Sequence, residues 1–197
     1  MKKLLGSRIF WILFVLMVCS GASEQGMSQW SSYFAESGLG VSKTVGDLLG
    51  PCAFALTMGL SRLVYGLYGA KINLHGALYA SGVLCVASYL LSVFAPLPVL
   101  SLVGCALCGL SVGMMWPGTF STASEANPQG GTAMFALLAL AGDLGCAGGP
   151  TLVGFVSGAA DGRLQTGLLW AIIFPIGLMA GLYVLRRWLK RGINAKA

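Results

Sequence analysis

Two carboxylates stand where an ionisable side chain is costly. Glu24 belongs to a run, Ser20, Gly21, Glu24, Gln25, Ser28, Ser31 and Ser32, whose spacing at i, i+4 and i+7/8 lines one polar stripe on a helix. Asp143 shares a helical face with Ala139, Gly142, Cys146 and Pro150, small residues that leave room for a cavity or a close neighbour. An acid inside a hydrocarbon layer must be protonated, paired or hydrated, and each state suits a group that takes up and releases a proton. Trp30, Trp116, Tyr33 and Tyr65 are candidates to anchor a helix at the membrane boundary. Other chemistry finds little support. Gly109-Leu-Ser111-Val-Gly113 matches the pattern of a hydrolase nucleophile, but that turn needs a strand before it and a helix after it. A single His, His75, and one Cys105-x-x-Cys108 pair without a second pair leave no metal site or catalytic dyad, and no cofactor motif is present.

The elements that must carry these residues follow from composition. Of 197 residues, 56% are hydrophobic and 9% are charged. A soluble domain carries roughly a quarter charged residues, so a water-soluble core and a disordered chain are both excluded. Six apolar stretches approach the ~20 residues that a helix needs to cross the ~30 Å hydrocarbon layer. They run from Ile9 to Phe34, Gly46 to Gly66, Leu74 to Phe94, Val99 to Ser121, Gly131 to Ser157 and Gln165 to Leu185. Gly, Pro, Asn and Asp mark the short breaks between them. The sequence therefore predicts an all-α membrane protein of six transmembrane helices, one bundle over 1–197. Counting ~1.5 Å per residue, Glu24 lies roughly 22 Å into the layer and Asp143 roughly 18 Å. Glycine pairs at four-residue spacing (46/50, 109/113, 145/149, 154/158 and 177/181) supply close helix contacts. Pro51, Pro117, Pro150 and Pro175 are expected to interrupt their helices.

The net charge of +6 comes from twelve basic residues against six acids. With six spans the termini share a side, and ten of the twelve fall there: Lys2, Lys3, Arg8, Arg62, Lys71, Arg186, Arg187, Lys190, Arg191 and Lys196. Lys43 and Arg163 fall opposite. The positive-inside rule then orients both termini to the cytoplasm, in a cell membrane of the bacterial inner-membrane kind. Basic residues that flank apolar runs are not a nucleic-acid face. An alternative for the first stretch is a secretory signal, with Lys2 and Lys3, the apolar run to Cys19 and a cleavage site at Ser20-Gly-Ala22.

Several stretches resemble one family in order and spacing. Gly21-Ala-Ser-Glu24-Gln-Gly-Met-Ser-Gln-Trp30 resembles the seventh helix of major facilitator superfamily transporters, nearest the fucose-permease-like sugar branch. Gly59-Leu-Ser-Arg62-Leu-Val-Tyr-Gly66-Leu-Tyr-Gly69-Ala-Lys71 is similar to that family's gating loop between helices eight and nine, without its Asp. Gly109-Leu-Ser-Val-Gly113-Met-Met-Trp-Pro117 is similar to the tenth helix, and Arg186-Arg-Trp-Leu-Lys190-Arg to the cytosolic tail. The resemblance implies the carboxyl-terminal half of a twelve-helix carrier, with two three-helix inverted repeats at 9–94 and 99–185 and a basic tail at 186–197. It implies a small polar solute, a sugar among the candidates, moved by alternating access, and Glu24 and Asp143 motivate an expectation of proton coupling. Glu24, Gln25, Ser28, Trp30, Trp116 and Asp143 would then line the solute or proton pathway, and Arg62 and Lys71 the gating loop. The bilayer, the solute, protons and an amino-terminal six-helix half would be the partners. A membrane scaffold or regulatory subunit, and a half-transporter completed by a separate chain, are the alternatives.

Overall fold

A computed structural model describes residues 2–33, 36 and 42–194, with the side chains of 2, 3, 33, 98 and 190–194 left out of the description. Six helices are long and apolar enough to cross a membrane: α1 Arg8–Ser28, α2 Lys43–Lys71, α3 Leu74–Phe94, α4 Val99–Ala126, α5 Gly131–Ala159 and α6 Leu164–Leu189. All six expected spans are present. The first ends at Ser28 and is followed by a separate turn, Ser31–Tyr33, while Phe34 lies outside the described residues.

The prolines act in two ways. Pro51 sits in a widened π-helical turn, Leu48–Cys52, within α2. Pro117 and Pro175 fall in the first turn of the second segments of α4 (Met115–Ala126) and α6 (Ile173–Asn194), where a missing N–H costs little. Pro150 departs from the expectation: α5 runs through it unbroken from Gly131 to Ala159.

The bundle is crossed between its two halves. α1 makes its most extensive contact with α5 and also packs on α6, while α4 packs on α2 and α3. Backbone proximity makes these crossings tight. A Cβ on Gly145 would run into the Val18 carbonyl, and one on Gly149 into the Ala22 carbonyl. On the other side of the bundle, a Cβ on Gly109 would meet the Phe54 carbonyl and one on Gly113 would lie 2.7 Å from the Met58 carbonyl. Gly177 and Gly181 instead face side-chain atoms of α1, the Cys19 sulfur and the Leu16 methyl. Without a hydrophobic drive between helices in lipid, such contacts carry the packing. Hydrogen bonds clip the crossings: Thr57 Oγ1 donates to the Ala106 carbonyl at 2.6 Å, and Tyr65 and Ser121 join their hydroxyls at 2.8 Å. Tyr65 is thus a clip between α2 and α4. Tyr89, fully buried, donates to the Ser23 carbonyl at 3.0 Å. α1 is the most buried span and α2 the least, so much of α2 presents Leu56, Leu60, Leu63 and Leu67 outward.

Candidate functional site

Glu24 lies on the polar stripe of α1 and is buried, 9% exposed. Arg62 on α2 reaches it, Nη2 to Oε2 at 3.1 Å. The same guanidinium donates from Nε to the Gly113 carbonyl at 3.4 Å. That carbonyl has lost its helical partner, because the N–H four residues on would belong to Pro117, which has none. One arginine therefore satisfies a buried carboxylate on α1 and an orphaned carbonyl at the break of α4.

This corrects the expectation for Arg62. It is not a loop residue at the helix end. It lies within the α-helical stretch Ala53–Tyr68, nine residues before Lys71, or about 14 Å up the helix. Its side chain is about half exposed, so the pair opens onto an uncovered face of the bundle. Lys71 does end its helix, in the 3₁₀ turn Gly69–Lys71, and is exposed.

The structure rearranges the other candidates. Asp143 is exposed on α5, with no ion pair or hydrogen bond among the described residues. Of the small residues expected on its face, Pro150 is buried, and Gly142, one residue or ~100° round the helix from Asp143, faces Trp116 of α4. Cys146 on the next turn is half-buried and within electrostatic range of both Glu24 and Asp143. Trp116 lays its ring against Gly142, where a Cβ would fall 2.6 Å from Cζ2. Its Nε1 is buried without a partner among the described residues. It also meets Phe120 edge-on, centroids 6.3 Å apart.

Trp30 is half-buried and donates from Nε1 to the Pro150 carbonyl at 3.1 Å, its ring against Gly154. It fastens the end of α1 to α5. Of the stripe, Ser20 returns its hydroxyl to the Leu16 carbonyl at 2.8 Å and Ser31 donates to the Ser28 carbonyl at 2.8 Å. Gln25 and Ser28 are half-buried on the same side as Glu24. Ser32 bonds the Asp47 carboxylate at the opposite end of the bundle from the termini. The Tyr33 side chain lies outside the description.

Ser111 gives its hydroxyl to the Cys108 carbonyl at 2.7 Å in the last turn of the helical segment Pro98–Val112, the geometry of a back-bonded membrane serine and not of a strand-to-helix nucleophile turn. Among the described residues, no three of His, Cys, Asp and Glu gather to hold a metal ion. Sequence reasoning placed Gly113 in a close helix contact, Pro117 at a helix break and Gly142 beside a cavity or close neighbour, but missed the Gly113 carbonyl as an acceptor for Arg62. The available signal was an arginine well inside an apolar run, facing an acid at similar depth on another run.

The arrangement is a half-exposed ion pair, an exposed acid and a half-buried indole within a six-helix bundle. No curated protein and no solved structure matches the chain. The family model of the Major Facilitator Superfamily matches residues 1–150. A membrane bundle of six helices that matches this model over three quarters of its length belongs to the major facilitator superfamily of membrane transporters.

Proposed function

We propose that this chain forms one six-helix half of a proton-coupled carrier for a small polar solute, a sugar being the class its first-helix motif favours. The face bearing Arg62, Trp116 and Asp143 lines the pathway, and a second six-helix unit, in the same or a separate chain, covers it. The observation that carries this reading is the exposure of Asp143 and Arg62 on helices long enough to span the layer. Ionisable groups at such depth turn toward a water-filled cavity or a protein neighbour, not toward lipid. The crossed packing, α1 on α5 and α6 and α4 on α2 and α3, supports two inverted repeats at 9–94 and 99–185.

Coupling follows from Glu24. As a carboxylate it holds Arg62. When it takes a proton, Arg62 is released toward the pathway and the contact between α1 and α2 loosens. Asp143, on the same face, relays the proton or meets the solute. Gln25, Ser28 and Trp116 supply hydrogen bonds and an aromatic surface for a polar solute. Both termini face the cytoplasm in this reading, with Lys71 and Arg186 at the same boundary.

The test is uptake in proteoliposomes with a pH-sensitive dye inside, using the full transporter. Asp143→Asn and Glu24→Gln should keep solute exchange while losing solute-driven proton entry. Unchanged proton-driven uptake in both variants would overturn the proposal.

A further inference from the structure

A second cavity lies away from this face, at the end of the bundle where both described chain ends sit. It has a volume of about 450 Å³, within the ~300–1,000 Å³ of small-molecule sites, and lies between the start of α3 and the end of α6. Its polar lining is Asn73, His75, Tyr79, Tyr183 and Arg186, with no acid among them. Arg186 is exposed and makes no ion pair among the described residues. Its neighbour Arg187 lies over the ring of Tyr183, one of the lining residues, at 4.6 Å. Asn73 spends its Oδ1 on the Gly76 N–H at 3.3 Å as the cap of α3, which leaves its amide hydrogens as donors. Glu125 lines an adjoining cavity that shares His75 and Arg186 with this one.

We propose that this cavity binds a phosphate-bearing anion. The guanidinium fork of Arg186 matches phosphate oxygens, and His75 and the Asn73 amide add donors beside it. Tyr79 and Tyr183, both about half exposed, have apolar rings and polar tips of the kind that settle at the edge of a bilayer. That placement favours a lipid headgroup over a soluble ion as the source, since basic pockets between helices at the membrane edge take anionic headgroups.

The test uses the full chain reconstituted in vesicles of phosphatidylcholine with a minor fraction of phosphatidylglycerol, then released for native mass spectrometry. The expected result is retained phosphatidylglycerol that Arg186→Gln weakens roughly tenfold or more, the effect of one charge-assisted contact. Arg186→Lys should restore part of it. Lys71→Gln, at the same boundary but outside the cavity, should leave retention unchanged. A second arm titrates inorganic phosphate in detergent without anionic lipid and follows thermal stability. An Arg186-dependent shift with phosphate, without lipid retention, would support the site with the soluble ion as its ligand. Equal loss in Lys71→Gln and Arg186→Gln would mean diffuse surface charge and overturn the proposal. Retention and stability that ignore Arg186 in both arms would overturn it as well. Both readouts are independent of transport.

Discussion

Arg62 closes on Glu24 at 3.1 Å across two helices that lie 38 positions apart in the chain, and it closes on the Gly113 carbonyl with the same guanidinium. The pair is asymmetric, because Glu24 is buried while Arg62 is half exposed. Removing the arginine strands a buried carboxylate and the Gly113 carbonyl, whereas removing both charges strands only the carbonyl. Arg62→Ala should therefore lower stability by about 1–3 kcal/mol. The double variant Glu24→Gln/Arg62→Gln should lose less than the sum of the two single changes. Thermal unfolding in detergent decides it, and strictly additive losses would argue that the pair contributes no coupling.

Two neighbouring glycines separate packing from propensity. A Cβ on Gly145 meets the Val18 carbonyl, whereas a Cβ on Gly148 meets nothing within 4 Å. Gly145→Ala should cost about 1–3 kcal/mol through forced separation of α1 and α5. Gly148→Ala should be neutral or gain up to about 1 kcal/mol from helix propensity. Equal melting temperatures for the two variants would mean that the crossing relaxes freely.

Trp30 is read as a fastener because its Nε1 bonds the Pro150 carbonyl. Trp30→Phe should cost about 0.5–1.5 kcal/mol in stability and leave the KM for solute unchanged. A raised KM with unchanged stability would instead make Trp30 a solute contact.

Cys146 reports on the open face. It is half-buried, whereas Cys105 and Cys108 are fully buried. In single-cysteine backgrounds Cys146 should react with a small maleimide much faster than either, and solute should slow it. Protection of Cys105 or Cys108 by solute would place the pathway elsewhere.

The spans were legible because the length and hydropathy of each apolar run are local properties, and Leu74–Phe94 agrees with its expected bounds to the residue. The capping by Asn73 and the loop chemistry before it belong to the same local class. The site was legible only in part. Counting residues along α1 put Glu24 inside the layer, but nothing along that helix names its partner. Arg62 was assigned to the helix end because it precedes Lys71 in a glycine-rich motif. A long arginine side chain and the crossing of α1, α2 and α4 bring it inward. Asp143 was put on the small-residue face from spacing alone, and a rotation of one residue sends it outward. Gly142 was read as leaving room for a cavity or a close neighbour, and Trp116 is that neighbour. Each of these errors concerns which neighbour a face meets, and that is decided between helices, not along one.

The crossing of α1 and α5 also bears on how the gene can change. At Gly145 and Gly149 two backbones touch, and the missing side chain is itself the contact. Every base change in a glycine codon that alters the residue brings a Cβ with it, so no conservative neighbour exists in mutational space. At Leu78 or Leu168 a swap among aliphatics is a small step that repacking can absorb. At the crossing the first step is already the large one. Variation in this fold should accumulate in its aliphatic core and on its lipid-facing surface long before it reaches the crossing.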